Sequence, residues 1–276
     1  MRGSVVIPSR NGLELLRRHL PRLTGEAPGW EVIVVDDASS DGTCEAGPAE
    51  FPGVRFARRE GPPGFCHSVN LGMSLAGGDI LLLLNNDVSP RKGAVAELVQ
   101  ALESAPDSVY AAVPVITRPG MQDEGGMRTG FRRGLAVTGP EEHGVPYPSG
   151  ACSLFRRSHW ETLGGLAVEF APIYWEDADL GVRAACAGLS MTRAPLSIWD
   201  HEHAATMGGG PASRRLRERN RFIFMERHCS TPFMRFRSAA WMPLHLLLSL
   251  SRGRTEFVTG WLDYLAWRRS RGKVGR

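Results

Sequence analysis

Paired cysteines are missing from this sequence. Five cysteines occur, Cys44, Cys66, Cys152, Cys186 and Cys229, and no two stand in a C-x-x-C spacing. An odd, dispersed set argues against a disulfide framework or a zinc site and points to reduced thiols in a cytosolic setting. Long apolar runs are missing too. The longest, from Ala239 to Leu250, is about a dozen residues with Pro243 and His245 inside it, too short to span a bilayer. Met1 runs into a short strand without a charged-then-apolar leader, so a cytoplasmic location is expected. No G-x-x-x-x-G-K-[ST] occurs and no G-x-G-x-x-G follows the first strand, which removes the main support for P-loop and dinucleotide readings. A G-x-S-x-G elbow is also absent. The available chemistry rests on carboxylates.

At 276 residues with 42% hydrophobic composition, the chain has ample material for a core. Its net charge of +4 hides a split. Up to Trp199, 18 Lys and Arg face 23 Asp and Glu, a net of −5; from Asp200 onward 15 face 6, a net of +9. A basic last quarter suits an anionic partner: a diphosphate, nucleic acid or an acidic membrane surface.

The stretch from Gly77 to Val88 organises what is there. Five aliphatics, Ile80 to Leu84, follow a glycine pair and end in Asn85-Asn86-Asp87. That pattern predicts a buried parallel strand, and ligands in open α/β sheets gather at the carboxyl ends of such strands. One carboxylate and two amides there suit a divalent cation and the sugar or phosphate that accompanies it. The competing reading is a polar turn into a helix started by Pro90. Upstream, Gly3 to Ile7 reads as a strand stopped by Pro8, and leucines from Leu13 to Leu23 follow at helical spacing. Trp30 to Val35 is a second buried strand, delivering Asp36 and Asp37 into a Ser/Gly loop where Ser39 or Asp41 is expected to cap a helix. Val54 to Ala57 and then a helix through Ser68 to Ala76 complete a run of strand–helix units. A doubly wound sheet is the architecture expected.

Farther on, a helix through Ala94 to Leu102 and a strand from Val109 to Ile116 are predicted. Thr117 to Pro148 is rich in Gly, Arg and Glu without periodicity and reads as a long, mobile excursion. A helix is expected from Arg157 to Leu163. Tyr174-Trp175 suggests a pocket wall ahead of Glu176-Asp177-Ala178-Asp179, a helix start more acidic than the macrodipole alone explains. A strand through Ser197 runs into His201-Glu202-His203, either a metal pair or a polar edge. Beyond Arg214 arginines alternate with large apolar residues. This tail reads either as interfacial helices on an anionic membrane surface or as helices packed on the catalytic domain or on a second copy.

Taken in order, these pieces resemble a family-2 glycosyltransferase with the GT-A fold, of the branch that includes bacterial rhamnosyltransferases. Val6-Ile7-Pro8-Ser9-Arg10-Asn11 resembles the opening donor strand and loop, and Val34 to Gly42 the nucleotide-recognition segment. Asn70-Leu71-Gly72 through Gly78-Asp79 resembles the helix before the metal strand, and Asn85-Asn86-Asp87 stands in the place of D-x-D. Glu176-Asp177 with Arg183 resembles the acceptor-side E-D motif, His201 the late histidine near the diphosphate, and Arg219-Asn220 a basic pair after it. One departure is plain: the metal motif carries one carboxylate instead of two.

The resemblance implies a Rossmann-like, mixed but mostly parallel α/β sheet. Residues 1–228 would form the GT-A domain, with a donor half of about 1–116 and an acceptor half of about 149–228. Residues 229–276 would be a basic, amphipathic helical extension. It implies inverting transfer of a sugar from a nucleotide-diphosphate sugar (dTDP-, UDP- or GDP-linked) to a hydroxyl of a carbohydrate or lipid-linked glycan, in polysaccharide or glycolipid assembly. Asp177 would be the base, with Glu176 beside it. Asp87 and His201 would hold Mg²⁺ or Mn²⁺. Asp37, or else Asp36, would meet the nucleobase. Pro8, Ser9, Asn11, Asn70, Asn85, Asn86, Gly150 and Trp175 would complete the nucleotide-sugar side. No nucleic-acid partner is implied, and the inner face of the cell membrane is the expected periphery. A sugar nucleotidyltransferase is the rival enzyme, but it calls for a glycine-rich basic loop after the first strand, which Pro8-Ser9-Arg10-Asn11 is not. A non-catalytic sugar-nucleotide-binding scaffold would be free to lose Asp177, which is present.

Overall fold

The computed structural model describes residues 2–120, 123–140, 143–202 and 210–274. Four parallel strands open the fold: β1 (Gly3–Ser9), β2 (Glu31–Asp36), β3 (Val54–Arg58) and β4 (Ile80–Leu84). Between them run α1 (Leu13–Glu26), α2 (Thr43–Glu50) and α3 (Phe65–Leu75). Then come β5 (Val88–Pro90), α4 (Ala94–Glu103), β6 (Val109–Thr117), β7 (Arg128–Arg132), β8 (Leu135–Gly139), β9 (Val145–Pro146), β10 (Cys152–Arg156) and α5 (Arg157–Leu163). The chain finishes with α6 (Glu176–Cys186), β11 (Ser190–His201), α7 (Pro211–His228), α8 (Pro232–Ser251) and α9 (Thr255–Val274).

The main sheet has the order β3-β2-β1-β4-β10-β6-β11-β5. Only β10 and β5 run against the rest, so the expected mixed, mostly parallel α/β sheet is borne out. Alternation along the strands feeds two apolar layers, since successive side chains point to opposite faces. Val5, Ile7, Val32, Val34, Leu82 and Leu84 join the core beneath α1 and α4. Val6, Ile33, Val35, Leu81 and Leu83 join the core shared with α3, α6 and α7. Burial on both faces explains why β4 reads as an unbroken aliphatic run.

Two expectations need correction. Pro90 does not start a helix; it ends β5, which pairs antiparallel with β11, and α4 begins only after Gly93 at φ +79°. The stretch from Thr117 to Pro148 is not a structureless excursion. Residues 128–146 contain a three-stranded sheet of order β8-β7-β9, and its β7–β8 turn is pinned to α8. Ser238 Oγ donates to the Gly134 carbonyl at 2.8 Å, and His245 Nε2 lies 2.7 Å from the Arg133 carbonyl. The pattern was illegible because the strands are only five residues long and carry Gly130 and Gly139. In the tail, the α9 aromatics Phe257, Trp261, Tyr264 and Trp267 pack against the apolar layer that includes Phe222. Arg214–Glu256 and Arg215–Asp263 ion pairs fasten α9 to α7.

Candidate active site

At the carboxyl ends of β1, β2 and β4 the loops interlock. Asn86 Nδ2 donates to Ser9 Oγ at 2.9 Å, and a Cβ on Gly12 would collide with both groups, so glycine is required there. Pro8 precedes Ser9 in β1, whose carbonyl accepts from Asp37 N–H at 2.8 Å. Asn11, at φ +49°, accepts from Ser40 N–H at 2.8 Å and donates its own N–H to Ser39 Oγ at 2.8 Å. Asp41 is the capping residue: it accepts from Leu13 N–H at 2.9 Å at the start of α1 and from Thr43 N–H at 3.1 Å at the start of α2. These bonds leave the two aspartates of β2 in different states. Asp37 is held by Arg59 (Nε 2.7 Å, Nη2 2.6 Å) and by Gly64 N–H at 2.7 Å. Asp36 is fully enclosed; it accepts from Ser39 N–H at 3.2 Å, and its Oδ2 has no hydrogen-bond partner among the described residues.

The next turn carries Asn85 to Asp87. Asn85 N–H donates to Ala151 O at 2.9 Å, and Glu202 N–H to Asp87 O at 2.9 Å. β11 pairs with β5 so that His201 faces Val88 in register, which brings the imidazole to Asp87. His201 Nε2 lies 3.3 Å from Asp87 Oδ1 and Nδ1 lies 2.8 Å from Glu124 Oε2. Burial opposes a charge on this ring, yet the hydrogen bonds to Asp87 and Glu124 prevail and push it up to about 9. Glu124 was missed in the sequence because it falls in the aperiodic stretch. His203 lies outside the described residues. No group of three or more His, Cys, Asp or Glu suited to a metal occurs among the described residues. One carboxylate and one imidazole that gives up its Nε2 proton nevertheless fit a divalent ion that takes its remaining ligands from phosphate oxygens and water. A cavity of about 590 Å³ adjoins His201, lined by Arg18, Arg22, Ser89 and Arg118 among others; none of the carboxylates at the β2 end or the α6 start lines it.

The acidic start of α6 is built under strain. Tyr174 and Trp175 both have positive φ, +84° and +76°, a conformation that costs non-glycine residues about 1–3 kcal/mol each. Asn220, fully buried on α7, holds them. Its Nδ2 donates to the carbonyls of Phe170 (2.7 Å), Ile173 (2.9 Å) and Tyr174 (3.1 Å). Arg219 adds a bond to Ala171 O at 3.0 Å, and Trp175 Nε1 donates to Arg217 O at 3.1 Å. The Arg219-Asn220 pair is thus a strap on the acidic loop. Trp175 is not a pocket wall: its ring is buried 4.9 Å from that of Phe224. Asn70 is likewise engaged within the protein, since its amide both accepts from and donates to the backbone of Leu166.

The three acids of α6 separate by environment. Asp179, wholly buried, is locked by Arg183, Arg227 and His228 at 2.7–2.9 Å. Burial works against its charge, but the His228 and Arg183 contacts hold its carboxyl below the usual range. Glu176 is buried with Oε2 unpartnered among the described residues. Burial, with the neighbouring Asp177 charge, raises it well above the carboxylate range. Burial also pushes Asp177 up to about 6, against hydrogen bonds from the Ala178 and Gly150 amides and the charge of Arg217. Gly150 touches Asp177 while its neighbour Ala151 accepts from Asn85, so the segment before β10 joins the acid helix to the Asp87 turn. Two carboxyls with different proton affinities therefore stand beside a loop suited to anions and cations, an arrangement fit for general-base chemistry.

The chain is similar to known proteins. The Glycosyl transferase family 2 profile matches residues 4–164, which includes the loops after β1, β2 and β4. The N-acetylglucosaminyl-diphospho-decaprenol L-rhamnosyltransferase of Mycobacterium tuberculosis (strain ATCC 25618 / H37Rv) is 27% identical over 233 residues, 71% of this chain and 75% of that protein. The mannosyltransferase PcManGT from Pyrobaculum calidifontis, solved with GDP-Man and Mn²⁺, superposes with a TM-score of 0.61 at 19% identity, over 96% of this chain and 87% of that one. GalNAc-T7, solved with UDP, GalNAc and Mn²⁺, gives 0.64 at 18% identity over 82% of this chain and 48% of that one. At these identities the solved structures speak to fold, which is GT-A. Since the profile spans more than half of the chain, from β1 past β10, this protein belongs to glycosyl transferase family 2, in its rhamnosyltransferase-like branch, and is a glycosyltransferase.

Proposed function

We propose that the enzyme moves a sugar from a nucleotide-diphosphate donor to an acceptor hydroxyl in one inverting displacement, with Asp177 as base. The observation that carries this reading is the pair at the start of α6. Burial raises Glu176 well above the carboxylate range, while Asp177, raised to about 6, is ionised at neutral pH yet basic enough to accept a proton. Asp177 takes the proton of the acceptor hydroxyl as that oxygen bonds to the anomeric carbon. The bond from that carbon to the diphosphate oxygen breaks, and the nucleoside diphosphate leaves with the electron pair. Asp37 and Arg59 together offer an acceptor and donors to the edge of the base, and enclosed Asp36 shapes the loop that carries them. Pro8, Ser9 and Asn11 wall the nucleoside, and Asn85, Asn86 and Gly150 border the sugar. A Mg²⁺ or Mn²⁺ ion held by Asp87 and His201 would relieve charge on the departing diphosphate; the Mn²⁺ in the two solved structures supports a divalent cation. The mycobacterial relative's name, which contains a diphospho-decaprenol acceptor, supports a lipid-linked acceptor here.

The test is a thermal-shift screen of UDP, dTDP and GDP with Mn²⁺ and with EDTA, because a ligand of the native state raises its melting temperature. The preferred nucleotide then directs a transfer assay with the matching nucleotide sugars. A metal-dependent shift with one diphosphate is expected. No shift with any of the three would refute the donor-site assignment.

A further inference from the structure

One face of α8 is left without a partner among the described residues. Its inner side is committed: Ser238 and His245 bond to the β7–β8 turn, Met234 and Met242 pack on the core, and Ser249 is buried. On the opposite side Phe233 (66% exposed), Phe236 (72%), Leu244 (42%), Leu247 (64%), Leu248 (37%) and Leu250 (60%) face outward. Phe233, Phe236, Ala240, Leu244 and Leu247 fall at three- and four-residue intervals, so they form one stripe on a helix. From Phe233 to Leu250 the stripe is about 26 Å long at 1.5 Å per residue. A contiguous apolar face of this kind marks an interaction site. No helix among the described residues is long and apolar enough to cross a membrane.

Charge decides what the stripe meets. On α7, Arg214, Arg215 and Arg227 are spent on Glu256, Asp263 and Asp179. At the two ends of α8, Arg235, Arg237 and Arg252 have no carboxylate within ion-pairing distance among the described residues, and Arg237 lies over the Phe233 ring at 5.5 Å. Pairing two copies of α8 antiparallel would set Arg237 of one against Arg252 of the other, and parallel pairing would set each of these arginines against itself. Either dimer places like charges together. An anionic bilayer surface satisfies both features, because the apolar stripe enters the headgroup boundary while the cations meet lipid phosphate.

We propose that α8 docks the enzyme flat on an anionic bilayer through the stripe from Phe233 to Leu250, with Arg237 and Arg252 on the headgroups. The same helix holds the β7–β8 turn, and Tyr147, just after β9, packs against Gly181 of α6. The docking face is therefore joined to the Asp177 helix through one small sheet. This inference concerns location and stands apart from the transfer reaction.

Flotation of the full chain with phosphatidylcholine vesicles, with and without phosphatidylglycerol, tests it without donor or acceptor. Binding is expected only with phosphatidylglycerol, and it should weaken as salt rises past about 0.15 M, where the Debye length is about 8 Å. The double variant Phe236→Glu/Leu247→Glu should bind at least tenfold more weakly at an unchanged melting temperature, since both side chains are exposed; Arg237→Gln/Arg252→Gln should lose the phosphatidylglycerol preference. Wild type that ignores anionic vesicles at low salt would overturn the proposal, as would glutamate variants that bind normally. A wild-type dimer by light scattering that becomes monomeric in the glutamate variant would assign the face to a second copy instead.

Discussion

Replacing Asn220 by alanine tests whether the acidic loop is held by α7 or holds itself. The substitution deletes both N–H donors of the Nδ2 group, which serve three carbonyls at 2.7, 2.9 and 3.1 Å. A lost buried hydrogen bond costs about 1–3 kcal/mol, so the two N–H donors, counted once each although they are shared among three carbonyls, amount to about 2–6 kcal/mol. The conformation they hold contains Tyr174 and Trp175 at positive φ, which costs about 2–6 kcal/mol for the pair. Because the two quantities are alike, the strained form changes from dominant to a minority once the strap is gone. At about 1.4 kcal/mol per tenfold, a net shift of about 1.4–2.8 kcal/mol lowers kcat by about 10–100-fold. Nucleoside diphosphate binding, which we place by proposal at the ends of β1 and β2, should stay within about twofold. The measurement is steady-state transfer at a temperature well below the variant's melting point, with titration calorimetry of the diphosphate alongside. Asn220→Asp should be worse than alanine, since it turns a carboxylate toward three carbonyls. Wild-type kcat in a folded Asn220→Ala enzyme would refute the reasoning, and the strap would then matter to stability alone.

Asp177→Asn should lower kcat by about 10²–10⁴ and leave diphosphate affinity near wild type by calorimetry; undiminished turnover removes Asp177 as base. Because the base works deprotonated and burial raises Asp177 to about 6, kcat/KM should be low at acidic pH, climb through about pH 6 and level off above it; a flat profile from pH 5 to 7 contradicts the assignment. Asp87→Ala should abolish the Mn²⁺ enhancement of diphosphate binding seen against EDTA, and equal enhancement in both proteins rejects it as a ligand. Gly134 sits at φ +77°, where a side chain would run into Arg237 and Trp241. Gly134→Val should therefore undock the β7–β8 turn and speed proteolysis within residues 128–139 several-fold; an unchanged cleavage rate would show that the turn does not depend on α8.

Carboxylate position along the chain says little about role. Asp177 and Asp179 are two residues apart on the same first turn, yet one is raised and the other lowered. The difference comes from α7, whose Arg227 and His228 reach Asp179 from about fifty residues downstream. Asp36 and Asp37 part in the same way: Arg59, one residue past β3, takes Asp37, while Asp36 turns inward.

The sequence by itself determined the α/β alternation, the buried run of β4, the donor-side loops after β1 and β2, and the acidic start of α6. Each is a local matter: side-chain period, a proline stop, a glycine where no Cβ fits, a cluster of carboxylates at a helix end. Motif order was equally legible, and the family follows from it. Only the tertiary structure decided which groups meet. His201 reaches Asp87 through the β11–β5 register, Glu124 enters from a stretch without periodicity, and Asn220 straps a loop about fifty residues away. It also divided the basic tail, packing the α9 aromatics against the core and leaving the α8 stripe outside. The physical reason is that hydrophobic period reports how much of a helix is apolar, whereas the surface that covers it is set by contacts distant in sequence.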